Sequence, residues 1–139
     1  MLREKDYCDY DTCVVLREIG CRIETEWYIH QPSYERGSCY LCFGIPRETS
    51  VLDECDYIPR LSLYEAQKWL REEKKIDVFV RAGYLGKNRV RHYFVEVFTS
   101  KDVITLDNDR EDFDSYEEAL SEGIKEAVKI LKENETIHE

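Results

Sequence analysis

Cys39 and Cys42 stand in the stretch GSCYLCFG at the spacing with which paired thiolates hold zinc or pass electrons. A structural zinc site needs four donors in tetrahedral array, usually two such pairs. The remaining donors of this half, Cys8, Cys13, Cys21, His30 and Cys55, supply no second pair at that spacing. A redox pair belongs at a helix N-terminus, where the backbone dipole favours the thiolate. Here Tyr40 and Leu41 separate the cysteines and Phe43 follows, which is strand composition. Residues three apart on a strand point to opposite faces. The pair therefore reads as small apolar strand residues, with Cys39 and Cys42 as the zinc candidates if a metal is held at all.

A second candidate lies in DNDREDFDSYEE. Asp107, Asp109, Glu111, Ser115 and Glu118 fall at positions 1, 3, 5, 9 and 12 of a calcium loop, with the Phe113 carbonyl at position 7. Position 6, which such a loop reserves for glycine, is Asp112, and the preceding segment reads as strand rather than helix. Glu118 also pairs with Ser115 as a capping box. An acidic loop that favours the following helix N-terminus accounts for the same residues.

Catalytic machinery is not evident. His30, His92 and His138 are scattered, and no Gly-x-Ser-x-Gly, His-Glu-x-x-His or phosphate-binding loop occurs. No catalytic residue, cofactor or cofactor-binding residue is assigned. The basic residues Arg81, Lys87, Arg89 and Arg91 cluster around RAGYLGKNR, which two glycines mark as a hairpin turn. From residue 62 to 132 the order reads α-β-β-β-α, that of a double-stranded RNA-binding domain. The final helix of such a domain begins with basic residues that hold phosphates. Here it begins FDSYEEAL, which is acidic. Formal net charge is −10, from 30 acidic and 20 basic residues. That field repels nucleic acid and anionic lipid. Binding to duplex DNA or RNA is not expected, nor is membrane association. Carboxylates that imitate phosphates on a host protein are an alternative use of the same charge.

The elements that must position these residues follow from periodicity. DYDTCVVLREIGC reads as a short helix, capped by Asp11 or Thr12 and stopped at Gly20. RIETEWYIH alternates as a strand and CYLCFGI is its partner, so residues 22–45 read as a hairpin. PRETSVLDECDYIPR, bounded by Pro46 and Pro59, reads as an irregular link. Ser62 and Glu65 make a capping box for a helix with Leu63, Ala66, Trp69 and Leu70 on one side. IDVFV, VRHYFVEVFT and DVITLD are strands. The last helix, residues 116–132, carries Ala119, Leu120, Gly123, Ile124, Ala127, Val128 and Leu131 along one stripe.

Three segments, LREIGC, SLYEAQKWLREEKKIDVFV and FDSYEEALSEGIKEAVKIL, resemble parts of uncharacterised small proteins of Bacteroides-type gut bacteria and their phages and mobile elements. The resemblance spans most of residues 12–132 and is weakest over 30–60. Those proteins carry no assigned activity, so it implies no site residues. It implies a bacterial or phage-derived origin and the same helix and strand order.

The expected fold is α+β, in the order αββ-αβββα: a mainly antiparallel sheet of about five strands with about three helices packed on one face. Residues 1–139 are expected to form one compact domain, with a possible division into residues 1–58 and 59–139. Trp27, Trp69, Tyr93, Phe94 and Phe98 should supply core or sheet-face bulk. The opening MLREKDYCDYD holds no apolar stretch for export, and the six cysteines then read as free, mostly buried thiols of a cytoplasmic protein. The expected function is a non-enzymatic protein-interaction module with an unidentified protein partner, for which Tyr28, Tyr40, Tyr84 and Tyr93 would suit the contact face. Self-association is compatible with it. The alternative is a small metal- or thiol-dependent enzyme built on the cysteines of residues 8–55.

Overall fold

The computed structural model describes residues 3–25, 27–30, 40–43, 57–106 and 113–137. A short 3-10 turn, Glu4–Asp6, leads into helix α1, Tyr10–Glu18. Strands β1 (Trp27–His30), β2 (Tyr40–Phe43) and β3 (Tyr57–Pro59) precede helix α2, Leu63–Glu73. Strands β4 (Asp77–Leu85), β5 (Val90–Phe98) and β6 (Val103–Leu106) follow, and helix α3 spans Tyr116–Ile137.

The α+β class with three α-helices is as expected. The sheet is not one unit of about five strands. The described strands form two three-stranded antiparallel sheets, ordered β2-β1-β3 and β4-β5-β6. The additional strand is β3, inside the stretch read as irregular. It pairs antiparallel with β1, Ile58 opposite Ile29. Three residues are too few for a periodic signal, and Pro59 argues against a strand except at an edge, which is where β3 lies. The hairpin of β1 and β2 forms as expected, with Trp27 opposite Phe43. Its first strand begins at Trp27 rather than Arg22. The β4–β5 arms also run further than the glycines suggest. Gly83 pairs within the ladder opposite His92, and the reversal occupies residues 86–89. There Gly86 and Arg89 take positive φ values of 77° and 50°.

Caps fix the helix starts. The Asp9 carboxylate, not Asp11 or Thr12, caps α1 by accepting the Thr12 amide at 2.8 Å. Ser62 Oγ accepts from the Glu65 amide at 3.1 Å and the Glu65 carboxylate accepts from the Ser62 amide at 3.0 Å, the expected reciprocal box. In α3, Ser115 Oγ accepts from the Glu118 amide while the Glu118 carboxylate accepts from Asp114.

One buried cluster draws on all three helices and on β3, β4 and β5. Leu16 and Cys13 come from α1, Ile58 from β3, Leu63, Ala66 and Leu70 from α2, Val78, Val95 and Val97 from β4 and β5, and Leu120, Ile124 and Ala127 from α3. Helix α3 lies against β4 and β5 at close range. A Cβ placed on Gly123 would stand 2.5 Å from Val95 Cγ2 and 2.6 Å from Val78 Cγ1. Helix α1 meets α3 through ion pairs: Lys125 Nζ lies 3.2 Å from Asp9, and Lys132 Nζ 2.6 Å from Glu18.

Two predictions follow from this packing. Gly123→Ala gains about 1 kcal/mol of helix propensity but forces a methyl into two buried valines, so a net loss of roughly 1–2 kcal/mol is expected in urea unfolding. An unchanged or raised midpoint would show that α3 can retreat from the sheet at no cost. The second concerns acid. Burial raises the Asp9 carboxyl, but the Thr12 hydrogen bonds and Lys125 outweigh it and hold the group below its ordinary value. A depressed carboxyl contributes stability above its unfolded pKa of about 3.9 and loses it as pH falls through the lower folded value. Asp9→Asn keeps the cap without the charge. Its deficit relative to the natural protein should therefore shrink below about pH 4, and a deficit constant from neutral to acid pH would contradict the assignment.

Candidate functional site

Pairing register divides the β4-β5-β6 sheet into two faces. Val78 and Val80 of β4, Tyr93, Val95 and Val97 of β5, and Ile104 and Leu106 of β6 share the inner face, and α2 and α3 pack against it. The opposite face carries Asp77, Phe79 and Arg81 from β4, His92, Phe94, Glu96 and Phe98 from β5, and Val103 and Thr105 from β6. An antiparallel sheet with one buried face normally turns a polar face to water. Here that face is largely aromatic and aliphatic.

Its centre is an ordered cluster. Phe79 and Phe98 meet edge to face with ring centroids 5.5 Å apart, and His92 stacks on Phe94 at 6.1 Å. The His92 ring lies across Gly83, where a Cβ would approach its Nε2 to 2.7 Å. Arg81 and Glu96 form an ion pair across the strands. Phe79 remains 47% exposed and Val103 55% exposed, so large apolar groups face solvent beside a charge pair already internally balanced. Such a surface can bury apolar side chains from another molecule. It offers no nucleophile placed beside a base.

The residues singled out from sequence are distributed differently from expectation. Tyr84 and Tyr93 share the inner side of the sheet, by register with Arg91 and Ala82, and do not join the aromatic outer face. Tyr93 packs edge to face on Tyr116 at 6.5 Å. Tyr28 and Tyr40 lie on β1 and β2, in the other sheet. The basic cluster also divides. Arg81 faces outward against Glu96, whereas the guanidinium groups of Arg89 and Arg91 lie 5.2 Å from the rings of Tyr84 and Tyr93. Lys87 sits in the exposed turn. The four cations thus form no single row.

Of the zinc candidates, Cys42 lies on β2 opposite Tyr28, and Cys39 lies outside the described residues, as does Cys55. Of the calcium candidates, Asp107, Asp109 and Glu111 lie outside them, and Glu118 serves the α3 cap. Cys8, Cys13 and Cys21 are free and buried. Among the described residues no three or more His, Cys, Asp or Glu side chains stand together as a metal site. Likewise no described helix is long and apolar enough to cross a membrane. An open groove of about 460 Å³ between α1 and α3 has Val15 and Val128 in its lining, and Lys125 and Lys132 on its rim already pair with Asp9 and Glu18.

Alternation in VRHYFVEVF carried the signal for the outer face. Placing Val95 and Val97 in the core commits His92, Phe94, Glu96 and Phe98 to the other side. No family model, curated protein or solved structure matches the chain.

If the outer face is surface rather than core, Phe79→Ser should change stability by less than about 1 kcal/mol. Val97→Ala, at a fully buried position of the inner face, should cost about 2 kcal/mol. Comparable losses for the two in chemical unfolding would mean that the aromatic cluster is a structural layer.

Proposed function

We propose that the chain is a non-enzymatic protein-interaction module that binds through the outer face of β4-β5-β6. We further propose that it acts as one compact unit in the bacterial cytoplasm and derives from a phage or mobile element, as the resemblance of its helical segments implies. The observation that carries the binding reading is the half-exposed Phe79 ring, edge to face with Phe98, whose cross-strand neighbour Val103 is also exposed, on a face opposite the one the helices cover. The partner is a protein that presents apolar anchor side chains. Buried aromatic anchors dominate interface energetics, and charged rims add mainly orientation.

Aromatic rings on an open sheet can also stack bases. A protein partner is favoured by charge: Arg81 is balanced by Glu96, Arg89 and Arg91 turn to the opposite side, and the chain as a whole is acidic.

A photo-crosslinking residue at position 79, with one at exposed position 133 on α3 as control, tests the reading in expressing cells. A discrete protein adduct should form from position 79 and not from 133. Phe98→Ser in the same chain should weaken it by about fivefold or more, the effect of losing roughly 1 kcal/mol of contact. Equal adducts from both positions, none from either, or recovery of RNA in place of protein would overturn the proposal.

A further inference from the structure

We propose that the outer edge of β4 docks a second copy of this chain, strand against strand, so that two β4-β5-β6 sheets join into one. The edge is a different surface from the aromatic face, and the inference does not rest on the binding role given to that face.

Two separate contacts fix how the backbone of β4 is turned. Gln67 Nε2 of α2 donates to the Val78 carbonyl at 2.7 Å. On β5, the Tyr93 carbonyl accepts from the Phe113 amide at 3.0 Å, on the side away from β4. Backbone groups of alternate strand residues point to opposite edges. Tyr93, Val95 and Val97 therefore turn theirs toward β6, and their register partners Ala82, Val80 and Val78 turn theirs away from β5. Both contacts give the same parity. The N–H and C=O groups of Val80, Ala82 and Tyr84 point out of the sheet edge, and among the described residues no strand or loop backbone bonds to them.

Chains that avoid edge pairing shorten the strand, bulge it, or place proline or lysine in it. Strand β4 does none of these. It runs for nine residues in unbroken one-to-one register with β5. From Val78 to Tyr84 the sequence is VFVRAGY, and its single charge, Arg81, is engaged by Glu96 within the sheet. Ala82 is exposed and Tyr84 is 55% exposed, so the edge is reachable. The opposite edge strand, β6, has four residues and by the same parity turns only Val103 and Thr105 outward.

A second copy is the occupant because one register satisfies the whole edge at once. With Ala82 opposite the second copy's Ala82, each Val80 faces the other copy's Tyr84. Three directly bonded pairs form, about six hydrogen bonds in all. The register centred on Arg81 instead sets two like charges face to face and needs Val78, whose carbonyl Gln67 already occupies. The Ala82 register also brings Asp77 of each copy level with Lys87 in the hairpin turn of the other, a pair of opposite charges. The two-fold axis stands normal to the sheet, which keeps both sets of helices on one side. The two Val78 positions then lie eight residues, about 26 Å, apart along the strands. The α2 helices, each anchored at Val78 by Gln67, therefore stand at opposite ends of the junction.

The test is amide hydrogen exchange of the unaltered full chain, resolved residue by residue, across concentrations at which sedimentation equilibrium gives its mass. The mass should rise to twice that of the chain. The Val80, Ala82 and Tyr84 amides should exchange fast in the monomer and slow by about tenfold or more as the dimer forms. The Phe79 and Arg81 amides, turned toward β5, should stay protected throughout. Ala82→Pro removes the central donor at a position where a folded edge strand tolerates proline, and should weaken dimerisation by about tenfold or more. Ala82→Cys should give, on mild oxidation, a chain-to-chain disulfide at position 82, since directly opposed Cα atoms lie about 5.5 Å apart. The exchange pattern decides the matter even if Ala82→Pro fails to fold. A chain that stays monomeric at millimolar concentration would overturn the proposal. So would a dimer in which these three amides exchange as fast as in the monomer, or protection of all three already in the monomer, which would mean that the chain covers its own edge.

Discussion

Helix α3 approaches the β4-β5 hairpin so closely that the residue at the contact has no room for a methyl group. Gly123 stands over Val78 and Val95, and both valines are almost completely shielded from solvent there. Two buried β-branched residues and a glycine set the helix–sheet distance in a way a larger residue would not allow. That distance determines much else. It lets Leu120, Ile124 and Ala127 reach the same core as Leu63, Ala66 and Leu70 of α2. It also orients the opposite side of α3 so that Lys125 and Lys132 meet Asp9 and Glu18 of α1. These exposed pairs add little energy each, and the position of α1 depends mainly on Leu16 and Cys13 in the core.

The N-terminal segment is joined to the rest through the start of α2. Ser62 is the central residue: its side chain caps α2, its backbone pairs with Tyr7, and its carbonyl lies near the Cys8 thiol. Next to it, Arg60 is a buried cation. It pairs with Glu4 and lies 3.9 Å over the Tyr7 ring, so partners from the N-terminal segment surround it. A charge removed from water needs such partners, and their loss would leave it uncompensated. The same guanidinium contributes to the field at Cys13.

With the inner face of β4-β5-β6 covered by helices, strand alternation leaves Phe79, Phe94 and Phe98 on the other side. The Arg81–Glu96 pair spans that face, and Asp77, opposite Phe98, adds one carboxylate at its end. The formal charge of the chain and the chemistry of this face are thus separate properties. The first concerns solubility and long-range repulsion, the second concerns contact. Function read from net charge alone would miss an apolar surface of this kind.

Local chemistry was legible where one short segment decides the outcome. Ser62 with Glu65 is a reciprocal cap in sequence and in space, because its atoms are three residues apart. The stripe of α3 was readable because helical periodicity needs no partner to define it. Elsewhere the partner decides. Strand β3 exists because β1 offers it an edge, and nothing within Tyr57–Pro59 announces that pairing. Asp11 and Thr12 were as suitable caps as Asp9 by residue type, and the backbone at Asp9 settled the choice. Tyr84 and Tyr93 looked like one surface with Tyr28 and Tyr40, but parity puts the first two on the inner side of one sheet and the strand pairing puts the others in a second. Residue type and spacing determined the α+β class, the cap of α2 and the buried stripe of α3. Only tertiary structure decided which strands share a sheet and which aromatic rings remain exposed, because those outcomes depend on contacts between segments that carry no common signal along the chain.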